Sequence, residues 1–256
     1  MRYPLIISNW KANGSKTMII DFIHKLQNNL NNNYACNIII APPIIYLDVI
    51  KQYLINKDII LGAQNVDIHI SGSFTGEISA NMLKDMGVLY TIIGHYERRI
   101  HHKENNEDII KKFDILKKNH ITPILCIGEN KEEKIQNKTK TVCIQQINNI
   151  INTLGIEILK NSVIAYEPIW AIGSTSSANP NEVQTLHNFI RSYIAQQNIE
   201  IAETIHLLYG GSVNTNNAYE LLRQKDIDGL LIGKASLDPK NLSEIIKITQ
   251  KTKTRN

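Results

Sequence analysis

The sequence predicts an α/β fold, a single-domain (β/α)8 barrel spanning residues 1–256. Three observations predict it. Eight short apolar runs recur along the chain, at residues 5–7, 38–41, 59–63, 90–93, 121–127, 163–166, 206–209 and 229–232. The runs are continuously apolar rather than alternating, as suits parallel strands covered on both faces. Helix-like stretches separate them, and no linker or low-complexity spacer divides the chain. An open doubly wound sheet is the alternative. The lack of a GxGxxG after the first run weighs against the dinucleotide-binding form of that sheet.

The elements follow in order. After the first run, Ile19, Phe22, Ile23, Leu26 and Leu30 make one apolar stripe at helical spacing. Between the third and fourth runs, Asn65 to Ser79 form a long connection with little helical pattern. Such connections are usually functional or disordered. Ile109, Phe113 and Leu116 supply the stripe before the fifth run. The sixth run ends on a carboxylate, Glu167, with Pro168 directly behind it. The helix that follows carries the fullest set of signals. Asn179 is suited to cap it, Pro180 to its first position and Glu182 to a capping box. Val183, Leu186, Ile190 and Ile194 then give its apolar face. His206 merely opens the seventh run.

Composition excludes several classes. Hydrophobic residues are 43% and charged residues 20% of the chain, a globular balance. Its length is enough to bury a sizeable core. The net charge is +4, much of it from Lys251, Lys253 and Arg255 in the tail. No basic patch interleaved with aromatics occurs, so nucleic acid is not expected. A mild positive charge helps attract a small anion. Cys36, Cys126 and Cys143 are too few and too scattered for a disulfide framework or a zinc site, and a reducing, cytoplasmic setting is expected. The start, MRYPLIISNW, has no long signal-type apolar region, and no apolar run is long enough to span a bilayer, so no membrane partner is expected.

In a barrel the residues just past the strands' carboxyl ends converge on one face. Strand one places Asn9 and Lys11 there, strand three Gln64 and Asn65, strand four His95 and Glu97, and strand six Glu167. Each has a bland reading. Lys11 reads as a solvated lysine, His95 as a satisfied core histidine and Glu97 with Arg98 and Arg99 as a surface ion cluster. Glu167 resists it, because a carboxylate that ends an apolar run is costly to bury without a partner. Strands seven and eight end in glycine-rich turns, YGGS at 209–212 and IGKAS at 232–236. Either alone reads as a tight turn. Both together, at the two strands where barrels often bind phosphate, favour a phosphate cradle. No His/Asp/Cys cluster marks a metal site, and no GxSxG marks a serine nucleophile. The inventory suits proton transfer beside a carbonyl in a small phosphorylated substrate.

The stretches NWKANG (9–14), GAQNV (62–66), FTGEIS (74–79), IGHYERR (93–99), CIGE (126–129), AYEPIWAIG (165–173), YGGSV (209–213) and DGLLIGKASL (228–237) resemble, in order and spacing, the triosephosphate isomerase family. The resemblance covers essentially the whole chain. It implies a TIM barrel that interconverts dihydroxyacetone phosphate and D-glyceraldehyde 3-phosphate through an enediolate, without a cofactor or metal. This is a step of glycolysis and gluconeogenesis. It implies Glu167 as base, His95 as neutral electrophile, Lys11 and Asn9 as substrate ligands that stabilise the enediolate, and Glu97 in support. Gly173, Ser212, Gly233 and Lys234 are implied as phosphate contacts. Pro168 to Ala178 are implied as a lid, with Pro168 and Trp170 at its first hinge. A homodimer is also implied, in which the loop from Asn65 to Ser79 inserts into the other subunit and Thr75 reaches toward Asn9 and Lys11 of the partner subunit.

The chain departs from the family at four places. Tyr96 stands where a serine is usual, Thr175 and Ser176 replace a glycine and a lysine in the lid, and Lys234 replaces a glycine. Tyr96 either loosens the hold on Glu167 when the lid is open, or packs beneath the strand-four loop. Two rival readings remain. A metal-dependent sugar-phosphate epimerase needs acidic and histidine ligands at the strand ends, and a non-enzymatic barrel needs a broken catalytic set.

Overall fold

The computed structural model describes residues 2–30, 36–54, 59–172 and 177–253. Strand β1 (Leu5–Asn9) pairs in parallel with β2 (Asn37–Ala41), Leu5 opposite Asn37 and Asn9 opposite Ala41. The ladder continues in chain order through β3 (Ile59–Ala63), β4 (Tyr90–Ile93), β5 (Thr122–Ile127), β6 (Val163–Tyr166), β7 (His206–Tyr209) and β8 (Gly229–Ile232). β8 then returns to β1, with Leu5 opposite Gly229 and Ser8 opposite Ile232. That last pairing closes a parallel barrel of eight strands and excludes the open sheet.

The apolar runs fall on the strands. β1 extends past its run to Asn9, because Ser8 and Asn9 still pair with Ile40 and Ala41. This carries a polar side chain to the barrel mouth. β5 begins one residue late, at Thr122. Continuous hydrophobicity has the cause expected for it. Leu5 and Ile7 join Ile39, Ile92, Ile124 and Leu208 in an inner core, while Ile6 belongs to the outer layer between strands and helices. Side chains alternate across a strand, so both faces of each strand meet apolar neighbours.

Helices α1 (Lys16–Asn29), α2 (Leu47–Tyr53) and α3 (Ala80–Asp85) lie in the first three connections. α4 (Tyr96–His101) and α5 (Asn106–Lys118) follow β4, and α6 (Lys131–Ile135) and α7 (Thr139–Leu154) follow β5. α8 (Pro180–Ala195) and α9 (Ile199–Thr204) follow β6, α10 (Ala218–Leu222) follows β7 and α11 (Pro239–Lys253) follows β8. The stripe on α1 is buried through Ile19, Phe22, Ile23 and Leu26, and Leu30 closes the helix as its C-cap. No helix or strand interrupts residues 65–79. None of the helices among the described residues is long and apolar enough to cross a membrane.

The start of α8 is as expected in two respects and different in one. Asn179 caps it by accepting the Asn181 amide, and Pro180 takes the first position. Glu182, however, does not close a capping box. Its carboxylate turns outward to Lys134, 2.8 Å away on α6. The Lys134 ammonium also stands 5.5 Å from the centre of the Trp170 ring. A long-range cation thus competes successfully with the local backbone amide for this carboxylate.

Candidate active site

The carboxyl ends of the strands surround an open cleft of about 960 Å³, onto which Asn9, Lys11, His95 and Glu167 all face. Ser212, Gly233 and Lys234 line the same cleft from the far side. Sequence positions 9 to 234 therefore meet in one place.

Glu167 follows β6 directly, and its amide donates to Ile127 O at 2.7 Å. Two glycines make room for it. A Cβ on Gly128 would stand 2.0 Å from the Glu167 carbonyl oxygen, and one on Gly210 would stand 2.9 Å from Glu167 Cγ. Any side chain at either place would displace the carboxylate. Glu167 is only 5% exposed. Its Oε1 lies 3.4 Å from His95 Nε2. Its Oε2 is buried with no hydrogen bond of good geometry among the described residues. Beside it stands the Cys126 thiol, which burial, and then the Glu167 charge, push well above its usual titration range. A buried, under-satisfied carboxylate oxygen is unfavourable for stability.

His95 stands two residues past β4 and is the N-cap of α4. Its Nδ1 accepts the Glu97 amide N–H at 3.3 Å. In a neutral ring that bond leaves the proton on Nε2, the atom that faces Glu167. The ring is nearly buried, as a core histidine would be, but its free edge opens on the cleft.

Lys11 is held at both ends. Its backbone lies in the left-handed region, at φ 53°, uncommon outside glycine. Asn9 Oδ1 accepts its amide at 3.2 Å, and Gln64 Nε2 donates to its carbonyl at 3.0 Å. At the far end, Lys11 Nζ meets Glu97 Oε1 at 2.6 Å. Burial opposes ionisation of Glu97, but the Lys11 bond and the neighbouring positive charge outweigh it, and the carboxyl titrates below its usual range. Glu97 is thus paired with Lys11 and is not part of an arginine cluster. Arg98 pairs with Glu104, and Arg99 donates to Gly94 O and Cys126 O. Asn65 does not line this cleft, and its Oδ1 accepts from Lys112.

The glycine turns sit opposite. Ser212 also has a left-handed backbone, at φ 45°, and its Oγ donates to Ala171 O at 2.6 Å. Gly233 leads into a short 3-10 helix, Lys234–Leu237. First-turn amides have no partner within a helix. Gly173, Thr175 and Ser176 lie outside the described residues.

The two ends of the expected lid are tied down by groups that strand-by-strand reading passed over. Trp170 Nε1 donates to Glu129 Oε1 at 2.8 Å, and the Tyr166 hydroxyl donates to the same oxygen at 3.1 Å. At the other end, the Ala178 amide donates to the Tyr209 hydroxyl at 2.9 Å. Burial pushes that phenol up to about 12, so it stays protonated at neutral pH. Glu129 was accessible to the same argument as Glu167, since it also follows an apolar run. Nothing local marks Tyr209. Trp170→Phe should remove one of Glu129's donors and lower stability by about 1–3 kcal/mol, the cost of leaving a buried acceptor short of a partner. Thermal unfolding measures this; an unchanged Tm would show that the bond contributes nothing.

Tyr96 does not take over the hold on Glu167, which is the structural part of the first expectation for it. Its hydroxyl donates to Glu97 Oε1 at 3.1 Å. Its ring contacts Lys11 and His95, so it is not packed out of the site beneath the loop.

Comparison with known proteins shows what the chain is similar to. A family model described as triosephosphate isomerase matches residues 4–249. A triosephosphate isomerase of Baumannia cicadellinicola subsp. Homalodisca coagulata is 55% identical over 254 residues, 99% of each chain. One of Blochmanniella pennsylvanica (strain BPEN) is 56% identical over 253 residues, 99% of this chain and 98% of the relative. One of Salmonella newport (strain SL254) is 48% identical over 253 residues, 99% of each chain.

Proposed function

The chain belongs to the triosephosphate isomerase family, glycolytic enzymes that interconvert dihydroxyacetone phosphate and glyceraldehyde 3-phosphate, and on that premise we propose that Glu167 is its base and His95 its electrophile. One observation carries this assignment. Glu167 Oε1 and His95 Nε2 approach within 3.4 Å at the mouth of a cleft that Lys11 also faces.

The chemistry follows from the groups. Glu167 removes a proton from the hydroxymethyl carbon beside the substrate carbonyl. The electron pair left behind moves onto the carbonyl oxygen and makes an enediolate. His95 donates from Nε2 to that oxygen, and the Lys11 charge offsets the one that develops. Protons then shift between the two oxygens through His95. Glu167 returns its proton to the neighbouring carbon, and the aldose results. Every step is a proton transfer that balances within substrate and side chains. A carboxylate base with a neutral imidazole is a pairing for which this family is the standard illustration. Ser212, Gly233, Lys234 and Gly173 offer backbone N–H groups to the phosphate, with Asn9 beside Lys11. Glu167→Gln tests the base directly.

Residues 168–178 act as the lid, anchored at Trp170 and Ala178. A closed lid excludes water and protects the enediolate. A substrate-like phosphorylated inhibitor should slow amide exchange across this segment. Unchanged exchange at saturating inhibitor would rule the lid out.

The enzyme works as a homodimer through residues 65–79. In support, Phe74 on this loop is 42% exposed, and Ile44, which shares a cleft with Ile78 of the loop, is 38% exposed. Phe74 stacks on His69 at 3.4 Å, and Thr75 is exposed. A second cleft, of about 440 Å³, opens beside Asn9 and Lys11, with Ile44 and Ile78 on its walls. Exposed apolar surface next to a cleft of this kind fits a protein interface. Light scattering at micromolar protein should give twice the chain mass. A monomer with full activity would refute the dimer.

A further inference from the structure

Glu97 Oε1 carries two donors, Lys11 Nζ at 2.6 Å and the Tyr96 hydroxyl at 3.1 Å. The Tyr96 ring adds a third contact, because Lys11 Nζ stands 5.4 Å from its centroid, within reach of a cation–π attraction. Tyr96 also lies against the imidazole of His95, ring centres 4.9 Å apart. The one side chain therefore touches three of the groups assigned above. Building on that assignment of Lys11, we propose that Tyr96 is a positioning residue, one that fixes the Lys11 ammonium through Glu97 and through its own ring.

The need for such a clamp is visible in the geometry. The Lys11 and Glu97 side chains are 28% and 33% exposed, so water competes for both. An ion pair as open as this is worth little alone, and a lysine ammonium on a flexible stem samples many places. The Lys11 backbone is already fixed by Asn9 and Gln64. Only the four-carbon stem remains free, and Glu97 and Tyr96 remove that freedom. The hydroxyl remains a donor at working pH, because burial, and then Glu97, push it up to about 12. A serine at 96 has no ring, and its hydroxyl sits much nearer the backbone. This clamp is thus a property of the tyrosine found in this chain.

The test is Tyr96→Phe in the full-length enzyme, alone and together with Glu97→Gln, with KM and kcat measured for dihydroxyacetone phosphate. The hydroxyl acts through the Glu97 charge, so its loss should raise KM by about three- to tenfold, a fraction of what a hydrogen bond to a charged group is worth. The rise should shrink to less than about twofold once Glu97 is glutamine, since two groups acting through one contact are not additive. An unchanged KM overturns the proposal, as does an equal rise in both backgrounds. A Tm shift without a KM change would make Tyr96 a packing residue. Tyr96→Ser provides a second variant, and a faster kcat with unchanged KM there would place its action on Glu167 instead. Lys11→Met, run alongside, separates the two levels of inference. If it keeps wild-type kcat/KM, the assignment of Lys11 fails. If it loses activity while Tyr96→Phe keeps its KM, only the clamp fails.

Discussion

Glu167→Gln should lower kcat by about 10²-fold or more, the scale of general base catalysis, while leaving the fold and phosphate affinity in place. The amide matches the carboxylate in shape, which matters at this position. Gly210 leaves no spare room, since even a Cβ there would stand 2.9 Å from Glu167 Cγ. What changes is the ability to accept a proton from carbon. Stability should hold or rise, because Glu167 Oε2 is buried without a well-formed hydrogen bond, and a neutral group is less costly in that place. The signature is therefore opposite movement, activity down and Tm level or up. Retention of near wild-type kcat would end the assignment of Glu167 as base.

His95→Asn should lower kcat/KM by about 10²- to 10³-fold, the usual cost of losing one donor to a developing oxyanion. Asparagine is chosen because His95 has two jobs. Its Nδ1 caps α4 by accepting the Glu97 amide, and its Nε2 faces the cleft. Asparagine is a strong capping residue, so the first job survives with a stability change below about 1 kcal/mol. Its side chain is too short to carry a donor to the position of Nε2. Steady-state kinetics with thermal unfolding separates the two. If kcat/KM survives, His95 is a cap and a core residue, the bland reading that its sequence position also allows.

The barrel was legible because its signal is local and repeated. A strand covered on both faces must be apolar at every position, and eight such runs leave little choice of architecture. Glu167 was legible for the same reason in reverse, as a charge where burial forbids one. Glu129 follows β5 in the same way, two residues past Ile127, and the same argument reaches it. With Glu182 the local reading fails. Local spacing promised a capping box, and Lys134, 48 residues away in the chain, took the carboxylate instead.

The sequence by itself determined where the strands lie, the apolar layers and the chemical inventory at the mouth, because backbone periodicity and burial act within a few residues. Only the tertiary structure decided which members of that inventory meet. Gln64 reaches the Lys11 carbonyl, Tyr209 receives the Ala178 amide, and Tyr96 reaches the carboxylate of its own neighbour, Glu97, rather than Glu167. The first two contacts span 53 and 31 residues. They exist because parallel pairing in chain order, β1 through β2 to β3 and β6 to β7, brings these strand ends to one rim. Residue 96 is decided by direction. At the first turn of α4, the backbone aims a long phenol along the helix start, where Glu97 and Lys11 already stand, and no spacing rule encodes where a side chain of that length will end.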